Sequence, residues 1–174
     1  MLLILNKRKV IYYEKSKRVF IPTANCGCVG ITIKKVYTMI TLSNINEFTN
    51  QQIFEQCAKH LIKQGEQSLS THEGCKHCKY REGDLKCAVG CFIPDEDYSP
   101  YMEGKDIYVM RDYFYPHIDE DRLNLLGRLQ SIHDEVPTNL YVVPKWKNLL
   151  LYLAKDYGLD ASLIDPLATK KVTL

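Results

Sequence analysis

The sequence predicts a mainly helical α+β fold, in which amphipathic helices pack around a cysteine-containing β-hairpin and a β-rich appendage precedes them. Three observations carry this reading. Residues 49–64 repeat apolar side chains at three- and four-residue spacing between a cap and a glycine stop. Residues 78–89 place strand-like runs on either side of Glu82-Gly83-Asp84, a tight-turn sequence. Residues 10–42 are rich in Val, Ile, Tyr and Thr, the side chains that suit a pleated surface.

The N-terminal stretch carries two turn signals, Lys15-Ser16-Lys17 and Asn25-Cys26-Gly27, and so reads as hairpins. Lys7, Arg8, Lys9, Lys15, Lys17, Arg18, Lys34 and Lys35 all precede Met39, against one acid, Glu14. This break in composition predicts an appendage over residues 1–42, with Met39 as an alternative start. A single globular domain is expected over 43–160 and a frayed tail over 161–174.

In the first helix Thr49 is the N-cap, Gln52 completes a capping box, Phe48 is placed to staple against Ile53, and Gly65 is the stop. Ile53, Phe54, Cys57, Ala58, Leu61 and Ile62 make its buried stripe, with His60 and Gln64 one turn apart beside it. Residues 66–74 read as a polar loop. Ala88-Val89-Gly90-Cys91 reads as a close-packed entry into a short helical turn that Pro94 redirects. Residues 107–114 suit strand or helix. Asp119 caps a helix with an acidic first turn and Leu125, Leu126, Leu129, Ile132 and His133 on one face. In the last helix Pro144 suits the first helical position, Trp146, Leu149, Leu150 and Leu153 form the apolar side, and Gly158 ends it.

The 174 residues include 45% apolar and 25% charged side chains, and 23 basic against 21 acidic groups leave a net charge of +2. These are globular values that demand no polyanionic partner. Seven cysteines cannot all pair within one chain, and no secretory leader or bilayer-length apolar run is seen, so a reducing cytoplasm is expected, without a membrane.

The chemistry concentrates between Cys75 and Gly104. Cys75, Cys78, Cys87 and Cys91 are spaced C-x2-C-x8-C-x3-C, a pattern for a zinc site with His72 or His77 as substitute ligands. Buried free thiols are the competing reading and carry more weight. A nucleophilic reading takes Cys87 at the start of a helical turn, His133 as base and Glu103 or Asp134 as orienter. Asp134 follows His133 directly and is expected to point elsewhere, so an orienter from another segment is favoured, and a core-edge polar role for His133 and Gln130 outweighs catalysis. Asp95, Glu96, Asp97, Tyr98, Tyr101 and Glu103 suit a hard cation, but a solvated acidic loop with inward tyrosines is preferred. Arg81 is read as a lock on Asp95 or Glu103 rather than an anion receptor. Together His60, Gln64, Arg81, Asp95, Tyr98, Glu103, Gln130, His133 and Asp134 are expected to form a structural or ligand-binding polar network, with His60 and His133 each bonded to the hairpin. The basic, tyrosine-bearing arm over residues 7–37 offers nucleic-acid binding as a further alternative, without a recognition motif.

His60-Leu61, Gln64-Gly65, CKYREGDLKCAVGCFIPDEDY, Met102-Glu103-Gly104, RLQSIHD and the Trp146 helix resemble a widespread group of small phage and prophage proteins, over residues 46–159. The group has no established activity, so the resemblance implies no catalytic role. Its pattern has counterparts of Cys78, Cys87 and Cys91 but not regularly of Cys75, and it begins near Met39; the first weighs against a four-cysteine zinc site, the second for an appendage. What the resemblance implies is an accessory or binding protein in the host cytoplasm, directed at a host or phage protein or a small ligand. A cysteine-dependent hydrolase or transferase is the enzymatic alternative, and zinc the possible cofactor.

Overall fold

The computed structural model describes residues 11–12, 17–22, 28–33, 37–72, 75–136 and 141–165, and the side chains within 39–71, 77–136 and 141–165. The chain divides into two compact units, Met1–Met39 and Ile40–Leu174. In the first, β2 (Lys17–Pro22) pairs antiparallel with β3 (Cys28–Ile33), and β1 (Ile11–Tyr12) pairs antiparallel with β4 (Tyr37–Thr38). The pairing of β1 with β4 corrects the hairpin expected at Lys15-Ser16-Lys17, because the two central strands take each other as partners. The turn expected at Asn25-Cys26-Gly27 lies outside the described residues.

The second unit is mainly helical. α1 (Asn50–Gln64) starts where its capping box directs: the Thr49 hydroxyl accepts the Gln52 N–H at 3.3 Å, and Gln52 Oε1 accepts the Thr49 N–H at 2.9 Å. Gly65 ends the helix at φ 75°, a left-handed conformation that costs a glycine little. Ile53, Phe54, Cys57, Ala58 and Leu61 are buried, as the stripe requires.

Two antiparallel hairpins follow. β5 (Leu69–His72) pairs with β6 (Cys75–Cys78), and β7 (Arg81–Glu82) pairs with β8 (Leu85–Lys86) across Gly83-Asp84. The first hairpin replaces the loop expected over 66–74, since β5 finds its partner in the cysteine-bearing segment. A 3₁₀ turn at Gly90–Phe92 then enters the core, where Ala88, Val89, Phe92 and Ile93 are buried. Gly90 is required there: a Cβ on it would stand 2.0 Å from the Tyr80 carbonyl oxygen.

α2 (Ile107–Phe114) is capped by Asp106, which decides the ambiguous stretch for helix. Asp119 caps α3 (Glu120–Asp134), whose Leu123, Leu125, Leu126, Leu129, Ile132 and His133 are buried. α4 (Val142–Tyr157) ends at Gly158. It begins two residues before the expected start, so Pro144 lies inside the first turn, where a missing N–H still costs nothing. Trp146, Leu150 and Leu153 face the core, but Leu149 is 36% exposed, at the edge of the apolar side. α1 packs on α3 and α4, and α3 on α2 and α4. The chain stays in the core to Ile164, with Ala161 and Ile164 both buried, so the tail is not frayed over 161–165. Among the described residues no helix is long and apolar enough to cross a membrane.

Candidate functional site

The end of α1 faces the second hairpin with two polar side chains. His60 Nε2 donates to the Lys86 carbonyl at 2.9 Å, and Gln64 bonds the same residue twice, Nε2 to Lys86 O at 2.9 Å and Oε1 from Lys86 N at 3.0 Å. Burial holds His60 below its ordinary value, because a charged ring would lose hydration there.

His133, on the buried face of α3, is fully enclosed. Its Nε2 accepts the Ser68 backbone N–H at 3.2 Å and its Nδ1–H donates to Asp134 Oδ1 at 2.8 Å, which together assign the neutral tautomer. The ring stacks on Trp146 at 5.6 Å between centroids. Beside it Gln67 Nε2 donates to the His133 and Val136 carbonyls at 2.7 and 2.8 Å, capping the end of α3. Two expectations are corrected here. Asp134, expected to point away, is the group that holds His133, its carboxylate folding back along the helix end. The partner of the Nε2 is Ser68, at the root of the first hairpin, whereas His60 does meet the Gly83-Asp84 hairpin.

A third layer ties that hairpin to the loop after it. Glu103 accepts the Tyr80 N–H at 3.0 Å, the Arg81 N–H at 3.2 Å and the Tyr98 hydroxyl at 2.9 Å. Arg81 Nη2 pairs with Asp95 Oδ1 at 2.9 Å and donates to Ile93 O, and its guanidinium lies 4.6 Å over the Tyr98 ring. Arg81 is therefore the lock expected, with Asp95 as its carboxylate and its backbone on Glu103. Lys86 Nζ joins Asp95 at 2.9 Å, and the two cations hold its carboxyl below the usual range, Lys86 contributing more. Tyr98 is half-buried but Tyr101 is 80% exposed, so the tyrosines of this loop do not all pack inward. Gln130 completes the layer, donating to the Tyr80 hydroxyl at 3.3 Å and accepting the Ile107 N–H at 3.0 Å.

These layers enclose a cleft of about 500 Å³. Cys78, Lys79, Tyr80 and Cys87 form one wall, Glu103, Gly104, Lys105, Asp106 and Tyr108 a second, and Gly127, Gln130, Ser131, Asp134 and Glu135 of α3 and its cap the third. Much of the expected site, Cys78, Cys87, Glu103, Gln130 and Asp134, is thus gathered on one concavity. Gln67 and Ser68, which anchor the imidazole, were not singled out in the sequence. Their signal was faint, two polar residues in a stretch with no periodicity.

Among the described side chains, Cys78, Cys87 and Cys91 do not converge as the candidate zinc set requires. Cys87 Sγ accepts the Gly90 N–H at 3.2 Å and Cys91 Sγ donates to the Ala88 carbonyl at 3.2 Å, each turned into the core. The side chains of Cys75, His72 and the basic arm lie outside those described. Among the described residues the one trio of metal-competent donors within 4.8 Å of one another is Cys78, His133 and Asp134. Its hydrogen bonding opposes a metal. Coordination at Nδ1 of a neutral ring would place the proton on Nε2, facing the Ser68 N–H donor to donor.

Nor is the thiol of Cys87 activated. It sits at the start of a helical turn, as expected, but burial pushes its pKa far up, and Asp134 pushes it further. Burial raises the Cys78 thiol to about 12, with Asp134 adding to it. Both nitrogens of His133 are occupied, and Glu103 spends its oxygens on Tyr80, Arg81 and Tyr98. Among the described residues, Cys87 and His133 are not in register as nucleophile and base, and what the arrangement offers is a concave surface. Compared with protein-family models, curated proteins and solved structures, the chain matches none.

Proposed function

We infer that this chain is a small non-enzymatic binding protein, of the accessory kind found in the phage and prophage proteins it resembles, that acts in the host cytoplasm and receives its partner at the cleft between the second hairpin and α3. The observation that carries this is the closed hydrogen bonding of His133. A general base needs a free lone pair near the proton it takes, and the Nε2 lone pair is filled by the Ser68 N–H. The Cys87 and Cys91 thiols, buried and held neutral, are core groups under this reading.

Thiol chemistry on the native chain tests it. Iodoacetamide at pH 7.5 is expected to leave Cys57, Cys87 and Cys91 unmodified until denaturant is added. An activated nucleophile would instead make Cys87 one of the first residues to react, and that result would replace the binding reading with the hydrolase or transferase one.

A further inference from the structure

Arg81 and Lys86 meet on one oxygen of Asp95, each at 2.9 Å, and the burial of the three partners is lopsided. The cations are the enclosed members, with side chains 18% and 24% exposed, whereas the Asp95 side chain is 79% exposed. Each cation is also held by contacts that do not involve Asp95. The Arg81 guanidinium lies over the Tyr98 ring and donates to Ile93 O, and its backbone N–H is bound by Glu103. Lys86 has its N–H and carbonyl fixed by Gln64 and His60. The two positive groups are therefore preorganised, and the anion between them is the exchangeable part, because ion pairs to an exposed carboxylate are weak and screened by salt.

A second observation points to a larger anion. Nε of Arg81 is buried and, among the described residues, has no hydrogen-bond partner, an orphaned donor of the kind that calls for a role. A guanidinium offers Nε–H and an Nη–H as a parallel fork. Asp95 reaches Nη2, with the same oxygen that Lys86 Nζ uses, so three donors stand around one oxygen. A phosphate monoester has three terminal oxygens and a charge of about −2 at pH 7.5, and it can serve all three donors where a carboxylate has two oxygens. Glu96 and Asp97 of the same loop are exposed, and Glu103 is taken up by three donors. The carboxylate that an incoming anion displaces is therefore that of Asp95.

We propose that Arg81 and Lys86 form a seat for a phosphate monoester, which Asp95 occupies in the free chain and yields to the ligand. Neither cation lines the cleft described above, so the seat is a second site, beyond the binding reading of that cleft.

The test is a titration of the ¹⁵N-labelled full chain at pH 7.5 with acetyl-Gly-phosphoseryl-Gly-amide, read by the Arg81 Nε–H signal and the amide shifts of Arg81, Lys86 and Asp95. Saturable shifts at these groups are expected, with affinity that falls as salt rises. Asp95→Asn, which removes the competing charge from an exposed position, should tighten binding about three- to tenfold. Lys86→Gln, which keeps the backbone bonds, should weaken it about three- to fivefold, both with the remaining spectrum unchanged. If Asp95 is a lock and nothing more, its replacement leaves binding no tighter, and that result would overturn the proposal. Equal binding of acetate would overturn the phosphate class. Glucose 6-phosphate separates the sources: tighter binding of the peptide assigns the seat to a phosphorylated polypeptide, and tighter binding of the sugar ester to a small metabolite. Shifts confined to another surface, or none with the Asp95→Asn chain, would overturn the proposal outright, whereas the binding reading of the cleft stands or falls on the separate labelling of Cys87.

Discussion

Replacing His133 with alanine tests the interior of this molecule most directly. The substitution strips the acceptor from the Ser68 N–H, which is fully buried and, among the described residues, has no other partner to turn to. An unsatisfied buried donor costs about 1–3 kcal/mol. The ring also leaves its stack on Trp146, worth about 1 kcal/mol beyond its area. Asp134 is exposed and regains water, so the loss of its bond adds little. The expected destabilisation is therefore about 3 kcal/mol, a large part of the about 5–15 kcal/mol that holds a domain together. Urea denaturation read by the fluorescence of Trp146, the single tryptophan, measures it, with a slope that should stay constant. Asp134→Asn, which keeps an oxygen for the Nδ1–H, should shift stability by less than about 0.5 kcal/mol. An alanine variant within about 0.5 kcal/mol of the parent would refute the account, because it would mean that Ser68 does not depend on the imidazole.

Gly90→Ala should cost about 3 kcal/mol or more in the same assay, since its Cβ meets a backbone carbonyl, which cannot rotate away as a side chain would. A near-neutral result would show that the Tyr80 strand can retreat. His60 gives a pH dependence. Its folded value lies below the ordinary 6.5 because of burial, so its contribution is complete above pH 6.5 and is lost as the pH falls through the folded value. The parent should lose more stability between pH 7.5 and 5 than His60→Gln does, and parallel curves would contradict this.

α1, α3 and α4 were legible because their ends are written in short-range chemistry, whereas α2 was left open between strand and helix. Thr49 with Gln52, Asp119, Gly65 and Gly158 each act within a turn of their own position, and each stands at or beside the helix end that the structure has. The first hairpin was not legible. Leu69 to His72 carry one large apolar residue in four, so nothing local distinguishes a strand from a loop, and the strand exists because Cys75 to Cys78 are there to pair with it. The same limit applied to the candidate site. Cys78, Cys87, Glu103, Gln130 and Asp134 were recognisable by type, and the structure does bring them to one cleft. What they do there depends on partners far off in sequence, Ser68 for His133 and Tyr80 for Glu103, which no spacing rule connects. Asp134 misled for a related reason: neighbouring helical residues usually diverge, but at a helix end the side chain can turn back.

The double bond pattern between Gln64 and Lys86 has a consequence for how the protein behaves in a crowded solution. The amide of Gln64 presents to β8 one acceptor and one donor, the pair that another strand would offer. A two-stranded ribbon leaves rows of unpaired backbone groups on both outer edges, and such edges recruit strands from other molecules. By occupying the N–H and C=O of Lys86, the last residue of α1 closes that position to a neighbouring chain. Loss of the amide, as in Gln64→Ala, would free the Lys86 N–H while His60 keeps the carbonyl, so Gln64 guards the donor of that position against strand addition as well as tying helix to hairpin.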